Sequence, residues 1–131
     1  MLNFRQFESP PDLSGRTWQV YFKWMQTAIS LRHSDSVDTR FLLESGGERI
    51  EKTIAMAHPD LLELARTQRR ELTDPWCSRL AALHLRYMLA TGADMEKDIA
   101  TASAAQLAGY AAEIDRAEQQ EIQRRTGAAR T

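Results

Sequence analysis

Thr17-Trp18-Gln19-Val20-Tyr21-Phe22-Lys23-Trp24-Met25 is the stretch on which the fold class turns. Read with period two, Trp18, Val20, Phe22 and Trp24 face one way, while Gln19, Tyr21 and Lys23 face the other. Read with period 3.6, Trp18, Tyr21, Phe22, Met25 and Ile29 share one face of a helix. Six of the nine residues are aromatic or β-branched. Such side chains lose rotamer freedom against the preceding turn of a helix and pack well on a pleated surface. The strand reading is therefore taken, and an α+β fold follows from it. The helical reading of residues 16–32 would make the chain all-α.

Working outward from this stretch, Ala28 to His33 continues the alternation, and Ser34-Asp35-Ser36 has turn chemistry. Val37 to Leu43 and Arg49 to Met56 are two more alternating runs, joined through Gly46-Gly47, a two-residue hairpin signal. With those glycines in the turn, Glu44 faces Arg49, Leu43 faces Ile50 and Thr39 faces Ile54. Opposite charges and apolar partners then meet across the strands. The expected sheet is a four-stranded antiparallel meander over roughly residues 17–56.

After Met56 the period changes to 3.6. His58-Pro59-Asp60 opens a helix expected to end near Arg70. Asp74-Pro75 opens a second, closed by Gly92. Here Asp74 is the expected N-cap, because its carboxylate can accept from the first free backbone N–H groups. Residues 75–91 are apolar nearly all round, so this helix belongs in the centre with cover on more than one side. Ser103 caps a third helix from about Ala104 to Arg125, with Leu107, Tyr110, Ala111, Ile114, Ala117 and Ile122 as its stripe. The three helices are expected on one face of the sheet. Ile99 to Ala102 is read as extended or irregular. Residues 1–16, with Ser9-Pro10-Pro11-Asp12, form an extended arm anchored by Phe4 and Phe7; residues 126–131 form a frayed tail.

A chain of 131 residues, 43% hydrophobic and 27% charged, fits one globular domain and not a disordered segment. Seventeen basic residues stand against eighteen acidic ones, for a net charge of −1. That balance argues against a dedicated nucleic-acid binder. The single cysteine cannot form an intramolecular disulfide, and no apolar run is long enough to span a membrane. The first residues lack a signal-peptide core. A soluble, cytoplasmic protein is the expectation.

The sharpest local cluster is His33-Ser34-Asp35-Ser36-Val37-Asp38. One imidazole and two carboxylates around a turn could bind a divalent ion or run acid–base chemistry, with His58 a fourth candidate. The spacing matches no specific metal motif, and Asp and Ser suit any tight turn. Cys77 near a helix start could be an activated thiolate, but Trp76 and Leu80 beside it favour a buried, inert thiol. His84, two turns on, reads as a core histidine donating to a backbone carbonyl. Arg66, Arg69 and Arg70, with Arg79 and Arg86 on the next helix, could form a basic face for phosphates, though Glu63, Glu71 and Asp74 lie among them. Tyr21 and Met25 fall on the outer face of the expected sheet, where an exposed pair suits a partner. No phosphate loop, nucleophile elbow, zinc spacing or dinucleotide fingerprint is present.

The expected role is a non-enzymatic protein-interaction or adaptor domain with a protein partner, itself or another, and a homodimer is one form of it. Its surface is expected at Tyr21, Met25, Arg66, Arg70, Arg79 and Arg86. No cofactor, resident metal or membrane partner is expected, and nucleic acid is disfavoured. The competing expectation is a small metal- or ligand-binding enzyme using His33, Asp35 and Asp38.

Overall fold

The computed structural model describes residues 4–28 and 35–130. The chain runs β1 (Gln6–Glu8), β2 (Gln19–Ala28), β3 (Ser36–Ser45), β4 (Glu48–Ala57), α1 (His58–Thr67), α2 (Asp74–Thr91), β5 (Ile99–Ala102) and α3 (Ala104–Arg130). The α+β class stands, and residues 19–28 are strand, which removes the all-α reading. The sheet itself differs from a four-stranded meander. It has five strands in the order β1-β2-β3-β4-β5, with β5 parallel to β4. The arm supplies β1, because Phe7 pairs with Val20 and buries its ring in the core. The segment Ile99–Ala102 supplies β5: Ala100 and Ala102 are small enough to lie under helices on the inner face. The expected strand at 28–33 falls almost wholly outside the described residues.

The β3–β4 register is the one the charge and apolar pattern requires: Glu44 opposite Arg49, Leu43 opposite Ile50, Thr39 opposite Ile54. The Glu44 and Arg49 side chains meet at 2.9 Å. Gly46 and Gly47 both take positive φ, which a two-residue hairpin turn demands. The β2–β3 ladder is less regular. Phe22 pairs with Phe41 and Trp24 with Arg40, so Lys23 is an extra residue, a β-bulge. Beyond it the inside–outside parity of β2 reverses. Met25 and Thr27 join Val20 and Phe22 on the inner face, and Trp24 turns outward. The expectation that Trp24 lies inside and Met25 outside is thus overturned by one inserted residue.

The helices stack on the inner face. α1 and α2 pack on β4, α2 also reaches β3, and α3 lies across α1 and α2. The core joins Val20, Phe41, Leu43, Ile54 and Met56 of the sheet to Leu80, Leu85, Met88 and Leu89 of α2 and Leu107 of α3. Leu80 is fully buried, as a central helix requires, whereas Tyr87 is 41% exposed. The N-cap of α2 is Thr73, whose hydroxyl accepts from the Trp76 N–H at 3.4 Å, and Asp74 lies one place inside the helix. At the other end Gly92 takes φ 76° and donates to the Met88 carbonyl at 2.7 Å. Ser103 and Gln106 form a reciprocal capping box at the start of α3. That helix runs past Arg125 to Arg130, so the expected tail is largely helical. No helix of the described residues is long and apolar enough to cross a membrane.

Candidate functional site: the outer face of the sheet

All three helices stack to one side of the sheet, and its outward residues form a second surface. Cross-strand pairing lays Trp24, Arg40, Thr53 and Ile99 in one row and Gln6, Tyr21, Leu42 and Glu51 in the next. Trp24 is 37% and Ile99 54% exposed; Tyr21 and Leu42 are half-buried between their neighbours.

Arg40 is the centre of this surface. Its guanidinium donates to Glu51 at 3.2 Å, to the Thr53 hydroxyl at 2.6 Å and to Asp98 at 3.5 Å. Lys23, projected outward by the bulge, reaches Glu51 at 3.0 Å. The Lys23 ammonium first, and then Arg40, hold the Glu51 carboxyl below its ordinary pKa. Pairs open to water in this way are screened and add little stability. Their structural effect is to hold the Arg40 guanidinium in place on the outer face, at the position paired with Trp24.

The residues singled out from sequence scatter. Tyr21 is on this face; Met25 lies on the opposite one, packed against the core. Arg66 pairs with Glu63 on the exposed side of α1. Arg70 and Arg79 both reach Glu118 of α3 at 3.4 Å, and Arg70 also lies over the Trp76 ring. Arg86 is half-buried on α2. The four arginines therefore do not make one basic face. Glu118, which interrupts the apolar stripe of α3, was the signal in the sequence for this clasp.

His33 lies outside the described residues. Asp38 points to the outer face, where its carboxylate accepts from the Ser36 hydroxyl at 2.9 Å. Asp35 is exposed, and its backbone carbonyl accepts from the His58 N–H at 2.8 Å, which brings those two main chains together. Among the described residues no group of three His, Cys, Asp or Glu could hold a metal ion.

Cys77 is buried, and its thiol pKa is pushed up to about 11, by desolvation first and then by the Asp74 carboxylate. It is a core residue and not a thiolate nucleophile. His84 is 1% exposed between Tyr87 and Tyr110, and its Nδ1 lies 2.8 Å from the Tyr110 hydroxyl. Its partner is a phenol on α3 and not the backbone carbonyl expected. Nε2 is buried without a partner.

Trp24 and Arg40 are the residues sequence reasoning missed on this face. Nothing local marks Lys23 as an insertion: no Gly or Pro stands near it, and the alternation reads straight through. No protein-family model, curated protein or solved structure matches the chain.

Proposed function

We propose that this chain is a non-enzymatic protein-interaction domain whose contact surface is the outer face of its sheet. The observation that carries the reading is the grouping of Trp24, Tyr21 and the pinned guanidinium of Arg40 on that face. Trp, Tyr and Arg are the residue types that dominate binding energy in protein interfaces, because each offers a large rigid contact area with a polar handle. Leu42 and Ile99 widen the apolar ground around them, and the charges of Lys23, Glu51 and Asp98 supply a polar rim.

The test combines two measurements on the full chain. Sedimentation equilibrium reads self-association of the wild type and of Trp24→Ala. A photo-crosslinking amino acid placed at position 24, in cells, is compared with the same probe at Leu62, an exposed apolar residue of α1. A dimer that Trp24→Ala dissociates, or a discrete protein adduct from position 24 and none from position 62, supports the reading. A strict monomer that crosslinks no more from 24 than from 62 ends it.

A further inference from the structure

The sheet ends on β5, and parallel pairing with β4 uses only half of that strand's backbone groups. The Thr53 N–H donates to the Asp98 carbonyl at 2.9 Å, with Thr53 opposite Ile99 and Ala55 opposite Thr101. This register turns the Asp98 and Ala100 carbonyls and the Ala100 and Ala102 N–H groups towards β4. The N–H and C=O of Ile99 and of Thr101 point the other way, and neither residue has a further backbone partner among the described residues. Their side chains are exposed on the outer face, while Ala100 and Ala102 are buried under the helices. No proline or bulge interrupts this edge. An edge of that kind is a template for another strand.

The four free groups are self-complementary. Turned about a two-fold axis at Ala100, an identical strand runs antiparallel and sets Ile99 of one copy opposite Thr101 of the other. Both pairs are then hydrogen-bonded pairs, each exchanging two N–H···O=C bonds, so every free group on both edges finds a partner. The residue on the axis takes the non-bonded position, where side chains approach most closely, and there the chain presents only the methyl group of Ala100. The same register places Asp98 opposite Ala102 of the other copy, next to the start of its α3. Asp98 lies 3.5 Å from Arg40 and is exposed, and the neighbouring cation, Lys97, is taken up by Asp94 at 3.3 Å. α3 has no acidic residue in its first turn, whereas α1 has Asp60 and α2 has Asp74. A carboxylate from the other copy supplies the negative charge that a helix start favours.

We propose that β5 pairs with β5 of a second copy of this chain, joining two five-stranded sheets into one of ten strands. The contact is isologous, so it closes at a dimer and leaves no free β5 edge. It does not use Trp24, and it therefore stands or falls apart from the outer-face reading.

The test uses the full chain, with sedimentation equilibrium for assembly and amide exchange read by NMR at low and high protein concentration. The expected result is a reversible dimer in which the Ile99 and Thr101 amides become protected as concentration rises. The Ala100 and Ala102 amides, bonded within the chain, are protected throughout. Thr101→Pro removes an N–H that faces away from β4, so the intrachain ladder is kept. Through the two-fold axis it deletes two intermolecular bonds and weakens the dimer about thirtyfold. Thr101→Val keeps the N–H and dimerises like the wild type, as does Trp24→Ala. A monomer at every concentration, a dimer that Thr101→Pro does not weaken, or Ile99 and Thr101 amides indifferent to concentration overturns the proposal. So does a photo-crosslinker at position 99 that captures a different protein while the purified chain stays monomeric, the sign of a foreign strand at this edge. If Thr101→Pro fails to fold, the wild-type amides decide.

Discussion

Two residues carry their stability effect in their own geometry. His84 is held neutral, its pKa lowered by desolvation from the ordinary 6.5, with the Asp94 charge acting weakly the other way. A buried base whose folded pKa is depressed binds fewer protons than the same base in the unfolded chain. Its contribution is complete above pH 6.5 and is lost as pH falls from there through the lowered folded value. His84→Gln keeps a partner for the Tyr110 hydroxyl and cannot titrate. Denaturation free energies measured from pH 8 to pH 5 should therefore fall more steeply for wild type below 6.5, by up to about 1.4 kcal/mol per pH unit. Parallel curves for the two proteins would contradict this. Arg69 is the second case. It follows α1 at φ 55°, and the Arg70 N–H donates to the Ala65 carbonyl at 3.0 Å, closing the helix with a left-handed residue. A side chain there costs about 1 kcal/mol that glycine does not incur. Arg69→Gly should raise the melting temperature by about 3 °C, read by calorimetry.

Among the elements, β2 holds the decisive irregularity. Because Lys23 is the surplus residue, removing it rejoins Phe22 to Trp24 opposite Phe41 and Arg40 without moving any other side chain to the wrong face. A chain lacking Lys23 should fold cooperatively and lose little beyond its solvent-screened contact with Glu51. Deleting Leu42 from β3 is the contrasting experiment. There the deletion throws half of a central strand onto the wrong face, and no cooperative transition is expected. Circular dichroism melts of the two deletions distinguish a bulge from an ordinary strand position. The helices needed no such correction, since their ends are chemical. Thr73, Gly92 and the Ser103–Gln106 pair are readable because a cap acts within one turn of the chain. At the caps, Asp74 was read for Thr73 because two adjacent residues can both cap; the ends expected near Arg70 and Arg125 fall at Thr67 and Arg130, where no cap residue marks the stop.

At the scale of the whole molecule, long-range ties hold the arm and the crossover in place. Arg16 donates to the Ser45 hydroxyl and carbonyl and to Glu48 across the β3–β4 turn, while its guanidinium lies 4.4 Å over Trp18. The Asp12 carboxylate accepts from the Ser14 hydroxyl and the Trp18 indole and stays well below the usual carboxylate range for that reason. On the other side Lys52 lies on the inner face, 8% exposed, its ammonium donating to the Met95 carbonyl at 2.6 Å and the Lys97 carbonyl at 2.7 Å. It fastens the connection that delivers β5. Lys52→Met should cost about 2 kcal/mol, because both carbonyls lose a charged donor. It should speed amide exchange in Ala100–Ala102 more than in α2, and uniform exchange across both would refute the role. The parity of Lys52 with Ile50, Ile54 and Met56 was visible in the sequence; what its amine holds, forty-odd residues on, was not. The same division runs through the protein. Period, caps and the Gly46–Gly47 turn act between residues near in the chain, so the sequence alone determined the α+β class, the hairpin register and the three helices. The parallel pairing of Ile99–Ala102, the strand made by the arm, the bulge at Lys23 and the clasp on Glu118 depend on partners brought together only by packing. Tertiary structure alone therefore decided that Trp24 faces out, that Met25 faces in, and where on the sheet each proposed surface lies.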